Sequence, residues 1–238
     1  MRKKGEVKMN EAYIEHQPGV LRVRQTKDQT MWFYNKIAGF YDILSNRFEE
    51  PLRKKGIQML NPKPGEHILE IGFGTGTSLI ELAKSVQPNG KISGIDISEK
   101  MLEIAKKRAV ESGLEDIVEL TCGDAKTLPY EQESLDGIFM SFTLELFDTP
   151  DIIPVLNECR RVLKTGGRIS VVSMSRFCPQ RISTKIFEWI HRHFPRWFDC
   201  RPIFVKYALK DAGFEITEST LKNTWANVEI VRGVKNTE

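Results

Sequence analysis

The stretch Ile68-Leu69-Glu70-Ile71-Gly72-Phe73-Gly74-Thr75-Gly76-Thr77 constrains the fold more than any other in the chain. Its apolar run with an embedded acid reads as a buried parallel strand. The three alternating glycines read as a turn with no Cβ to obstruct a ligand. A helical pattern begins near Thr77, so unpaired N–H groups and a positive helix end face the same place. That is the first βα turn of a doubly wound sheet, shaped to cradle a nucleotide.

The spacing narrows the nucleotide. A dinucleotide fingerprint puts its third glycine five residues after the first, and that position here is Thr77, with Gly76 one residue early. Glu70, just before the turn, would repel a pyrophosphate and attract a cation. S-adenosyl-L-methionine carries an ammonium and a sulfonium and no phosphate, so the pattern suits it better than NAD. An NAD-dependent oxidoreductase is the rival enzyme class, and a tight strand-to-helix turn is the plain structural alternative.

The rest of the chain extends the pattern. Strands are expected at His67–Ile71, Lys91–Ile95, Ile117–Thr121, Gly137–Ser141 and Arg168–Ser173, with helices Ser78–Val86, Glu99–Val110 and Ile152–Leu163 between them. Lys164-Thr165-Gly166-Gly167 reads as a helix cap and turn. Five strands alternating with helices give an α/β parallel sheet covered on both faces. Glu70, Asp96, Asp124 and Ser141 fall at successive carboxyl ends, where ligands of such sheets bind. Asp96 suits a ribose diol, because a carboxylate accepts both hydroxyl hydrogens; Ser98 competes locally as a helix N-cap. Asp124 suits an adenine amino group. Helix Ile203–Ala212 and two strands, Phe214–Thr220 and Val228–Val234, close the chain as an antiparallel hairpin.

Before the sheet, residues 1–25 read as an arm. A helix from Lys27 crowded with aromatics and a second helix, Pro51–Leu60, read either as core packing or as a lid, with Asn61-Pro62-Lys63-Pro64-Gly65 as their end. The division expected is residues 1–60 as arm and lid and 61–238 as the nucleotide domain, with an insertion at 179–200. In that insertion Ile182, Ile186, Phe187, Trp189, Ile190 and Phe194 share one helical face, and Arg181, Lys185, Glu188 and Arg192 the other. This cationic amphipathic stretch, 181–198, suits peripheral membrane contact or the cap of a greasy pocket; a core-facing helix is the alternative.

With 28% charged and 40% apolar residues and a net charge of +3, the chain has no composition that argues for nucleic acid. Four separated cysteines, Cys122, Cys159, Cys178 and Cys200, are expected as unpaired thiols. His191 and His193 lack a third ligand at sensible spacing, so no metal site is expected. Met1–Asn10 is basic and polar, so no secretory signal is expected, and the cytoplasm is the expected location, with membrane association through 181–198.

Several blocks together resemble the class I S-adenosylmethionine-dependent methyltransferases, and most closely the ubiquinone/menaquinone-biosynthesis C-methyltransferases and related phospholipid N-methyltransferases. The blocks are Tyr34-Asn35-Lys36-Ile37-Ala38-Gly39-Phe40-Tyr41-Asp42, Leu69–Gly76, Gly94-Ile95-Asp96-Ile97-Ser98, Gly123-Asp124-Ala125 and Glu158–Gly167. The resemblance implies a Rossmann-like seven-stranded sheet, mostly parallel, whose last pair is antiparallel. It implies Glu70, Gly72, Gly74 and Gly76 at the methionine moiety, Asp96 and Ile97 at the ribose, and Met101, Asp124 and Ala125 at the adenine. Tyr34 and Tyr41 would close over the amino-acid end, and Ser141 would reach the cofactor from the fourth strand. The quinone-modifying enzymes carry Arg-Asn after that strand, where this chain has Glu145-Leu146. An acid there suits an amine acceptor better than a phenolate, or is a solvated helix-start acid. Glu145, Tyr41 and His193 are the candidate bases. The acceptor expected is a small lipophilic molecule, a quinol or a phospholipid head group.

Overall fold

The structure, a computed structural model, describes residues 22–23, 27–176, 201–224 and 226–236. The amphipathic insertion, His191 and His193, and most of the arm lie outside the described residues. Seven strands form one sheet: β1 (His67–Ile71), β2 (Lys91–Asp96), β3 (Val118–Cys122), β4 (Leu135–Ser141), β5 (Leu163–Met174), β6 (Glu215–Asn223) and β7 (Asn227–Val234). Their order is β3-β2-β1-β4-β5-β7-β6. The first five run parallel, and β7 pairs antiparallel with both β5 and β6. The order reverses between β1 and β4, which opens a crevice beyond their carboxyl ends.

The helices are α1 (Lys27–Leu60), α2 (Thr77–Val86), α3 (Glu99–Glu111), α4 (Thr149–Val162) and α5 (Val205–Asp211). The alternating pleat sends Ile68 and Phe139 into one core and Leu69, Ile138 and Met140 into the other. α1, α2 and α3 cover the first face through Leu52, Leu60, Leu79, Leu82 and Met101. α4 and α5 cover the second through Ile152, Leu156, Val205 and Leu209. Burial on both faces explains why these strands read as apolar runs rather than alternating ones.

The structure departs from the sequence expectations at three places. The two expected N-terminal helices are one, and Pro51 lies within it. An internal proline costs about 3 kcal/mol in a helix, but Leu52, Ile57, Met59 and Leu60 bury on the sheet beyond it. Lys164–Gly167 belongs to β5, bulging between the pairs Leu135↔Leu163 and Gly137↔Arg168. The backbone of Lys235 holds this bulge through Gly166 N–H at 2.8 Å and Gly167 C=O at 2.9 Å. Finally, α5 begins at Val205, because Ile203 pairs with Ser175 as a parallel bridge. Among the described residues, no helix is long and apolar enough to cross a membrane.

Candidate active site

The cleft at the switch point is lined by Glu70, Gly72, Gly74, Asp96, Ile97, Met101, Asp124, Ala125 and Ser141 of the residues singled out from sequence. All but Met101, which enters from α3, lie at or just beyond the carboxyl ends of β1 to β4. Gly72 has φ +73°, and a Cβ on it would lie 2.3 Å from Thr143 Oγ1. The turn therefore packs against the loop after β4, and only glycine fits. Gly74 faces open space, and a Cβ on it would meet nothing within 4 Å. Gly76 does not line the cleft; its φ is +84°, and a Cβ there would meet Ala105 Cβ of α3 at 2.9 Å. Its place is between helices, and it caps α2 without a side-chain hydrogen bond.

Asp96 is held by its own backbone neighbourhood. Its Oδ2 accepts the Gly74 N–H and its Oδ1 the Ser98 N–H, both at 2.9 Å. Burial raises its pKa against the N–H donors of Ser98, Gly74 and Ile97. Ser98 fills the capping role separately, accepting the Met101 N–H at 3.1 Å. Its hydroxyl donates to Asn35 Oδ1 at 2.6 Å, which ties α1 to the start of α3.

Glu70 is 1% exposed, and its Oε2 has no hydrogen-bond partner. Burial pushes its carboxyl up to about 8, against a hydrogen bond from Ser78 and the charge of Arg53. A buried acid with an unsatisfied oxygen at a cleft is a site for a donor, and an ammonium supplies both N–H groups and charge. A pyrophosphate would add negative charge beside it. Asp124 Oδ1 accepts the Lys126 N–H at 3.0 Å, and Ser141 C=O accepts the Thr143 hydroxyl at 3.1 Å. The residues present thus fit a cationic adenosyl ligand.

Glu145 stands apart from the cleft lining. It is fully buried in the 3-10 turn Leu144–Leu146, where its Oε1 accepts the Met174 N–H at 3.2 Å. It is not a solvated acid: burial pushes it up to about 7. Tyr34 and Tyr41 belong to α1, but their side chains lie outside the described ones.

Sequence reasoning passed over several lining residues. Glu49 and Arg53 enter from α1, and Val23 and Asp148 from segments far apart in the chain. The i,i+4 spacing of Glu49 and Arg53 puts them on one helix face, but nothing local says that the face meets the cleft. Phe142 lines it with φ +52°, an unusual angle for an aromatic residue and one without a sequence signal.

The profile of the ubiE/COQ5 methyltransferase family matches residues 22–199. A demethylmenaquinone methyltransferase of Bacillus cytotoxicus is 33% identical over 159 residues, covering 65% of this chain and 66% of its own length. One of Lactococcus lactis subsp. lactis is 36% identical over 153 residues, covering 63% and 60%. The chain thus matches less than two thirds of each relative's length. Among solved structures, the [4+2]-cyclase SpnF superimposes with a TM-score of 0.72 at 18% identity, covering 90% of this chain and 98% of its own. A SAM dependent methyltransferase from Aquifex aeolicus gives 0.63 at 22% identity, covering 84% and 97%. At these identities the structural likeness carries the fold alone.

Proposed function

The chain belongs to the ubiE/COQ5 methyltransferase family, and from that premise we propose that it transfers a methyl group from S-adenosyl-L-methionine to a lipophilic quinol-type acceptor. The observation that carries the cofactor half is the orphaned, buried Glu70 Oε2 beside the glycine turn. Glu70 and the backbone of Gly72 and Gly74 would hold the methionine moiety. Asp96 and Ile97 would take the ribose, and Met101, Asp124 and Ala125 the adenine. The bound donor supplies a methyl already activated on a sulfonium.

The chain's own part is alignment and exclusion of water. Phe142, Leu146 and Phe147 give the β4 side of the cleft an apolar wall suited to a hydrophobic ring. The quinol reading is supported at family level by relatives named as demethylmenaquinone methyltransferases. The acid expected to favour an amine acceptor, Glu145, does not line the cleft, so it lends that acceptor no support. Membrane contact through 181–198 remains part of the proposal, as the route by which a lipid-soluble acceptor would arrive.

Calorimetry with S-adenosylhomocysteine and with NADH tests the cofactor half. Labelled-methyl transfer to reduced demethylmenaquinone and to phosphatidylethanolamine vesicles tests the acceptor half. Binding of S-adenosylhomocysteine alone and label in the quinol are expected. NADH binding in its place would overturn the methyltransferase reading, and label in the phospholipid alone would overturn the quinol.

A further inference from the structure

Two acids at the cleft stand outside the donor site proposed above. Glu49 lines the cleft from α1, half-buried, and Glu145 lies fully buried near it in the 3-10 turn. Arg53, one turn beyond Glu49 on α1, is also buried and lines the same cleft. It acts electrostatically on both Glu49 and Glu70. One guanidinium thus acts on an acid of the proposed donor site and on an acid outside it. Phe142, Leu146 and Phe147, the proposed wall for a hydrophobic ring, line the same cleft as Glu49, and Glu145 of that segment interacts electrostatically with Glu49.

We propose that Glu49 is the proton acceptor for the ring hydroxyl of the acceptor. The inference rests on the quinol reading above. A ring carbon becomes nucleophilic when the adjacent hydroxyl loses its proton, and that proton needs a base within reach. The O–H bond breaks, the proton passes to a Glu49 oxygen, and the electron pair stays on the ring oxygen and is shared with the ring carbon. That carbon gains the methyl while the pair of the broken C–S bond stays on sulfur. The ring C–H proton then leaves to water and the Glu49 proton returns to the oxygen, so each turnover releases one proton.

The surroundings suit that task. Burial pushes the Glu49 carboxyl up to about 7, against the charge of Arg53. A base is most effective when its pKa lies near the working pH. The charged groups facing it are Arg53 from its own helix and Glu145 from the 3-10 turn. Glu145 has Arg201 as its nearby cation, a fully buried guanidinium whose Nη2 donates to Phe147 C=O at 2.6 Å.

Glu49→Gln keeps the shape and removes the base. With reduced demethylmenaquinone, its kcat should fall about 100-fold or more, while S-adenosylhomocysteine affinity stays at the wild-type value. Wild-type kcat should rise with pH through a group near 7 and level off above it. The variant should lose that limb, and Glu49→Asp should restore it. Unchanged kcat, or an unchanged limb, in Glu49→Gln overturns the proposal. A readout apart from turnover is the infrared C=O stretch of protonated carboxyl groups, titrated in the S-adenosylhomocysteine complex. A component titrating near 7 should vanish in Glu49→Gln, and an unaltered titration overturns the proposal. Wild type that binds S-adenosylhomocysteine but leaves reduced demethylmenaquinone unmethylated would sink the acceptor reading and this proposal with it, whereas a wild type that methylates the quinol beside an unaltered Glu49→Gln variant sinks the proposal alone.

Discussion

The Asp96 carboxylate accepts the backbone N–H of Gly74 at 2.9 Å, so the acid ending β2 is tied to the glycine turn after β1. The two parts of the proposed donor site, ribose acid and glycine cradle, are therefore one hydrogen-bonded unit. Removing the carboxylate frees the Gly74 and Ser98 N–H groups together. Asp96→Ala should weaken S-adenosylhomocysteine binding by about 1.5–3 kcal/mol, the range for hydrogen bonds to a charged group. Calorimetry checks this, and an unchanged Kd would take Asp96 out of the site.

The glycines of the turn should separate stability from binding. Gly76→Ala drives a Cβ to 2.9 Å from Ala105 Cβ at a φ of +84°, and should destabilise the fold by about 1–3 kcal/mol. Gly74→Ala meets nothing within 4 Å, so only its φ of +53° strains the fold, by about 1–2 kcal/mol, while its methyl enters ligand space. It should lose more binding than stability. Urea unfolding paired with calorimetry on both variants would show the crossover, and equal losses in both would refute it.

Glu70 makes stability depend on pH in the ligand-free protein. Burial raises its carboxyl from 4.5 to about 8, so the native state binds more protons than the unfolded chain within that window. Stability present below 4.5 is lost as pH rises toward about 8 and stays lost above it. Glu70→Gln removes this loss. The variant should be more stable than wild type at pH 9 by about 1–3 kcal/mol, with the gap closing at pH 4. Chemical denaturation at the two pH values measures it. The same variant should bind S-adenosylhomocysteine more weakly, since the ammonium loses its partner charge.

Asp148 joins the chain before α1 to the start of α4. Arg22 Nε and Nη2 donate to it at 2.9 and 2.7 Å, Val23 N–H at 3.0 Å, and Thr149 N–H at 2.8 Å. Arg22→Ala should cost about 0.2–1 kcal/mol and less at high salt, because that side chain is largely exposed. Asp148→Ala removes the same ion pair together with a helix cap and the Val23 N–H bond, and should cost about 1–2 kcal/mol, of which only the ion-pair part falls with salt. Thermal melts at two ionic strengths check this: at high salt Arg22→Ala should approach wild type while Asp148→Ala stays destabilised, and equal costs there would contradict the assignment.

The sequence by itself determined the alternation of strands and helices, the glycine turn, and the acids at the tips of β1 and β2. These are local properties: a buried parallel strand must be an apolar run, and a turn next to a ligand must lack side chains. The closing hairpin was legible for the same reason, as two strands without an intervening helix. The tertiary structure alone decided which surfaces meet. Pro51 stays inside α1 because burial of Leu52, Ile57, Met59 and Leu60 offsets its cost. Gly76 faces α3 rather than the cleft, and Glu145 is buried rather than solvated. Glu49 and Arg53 reach the cleft from a helix that precedes the first strand. Each of these depends on a contact between segments far apart in the chain, and the local period of a sequence carries no record of what packs against it.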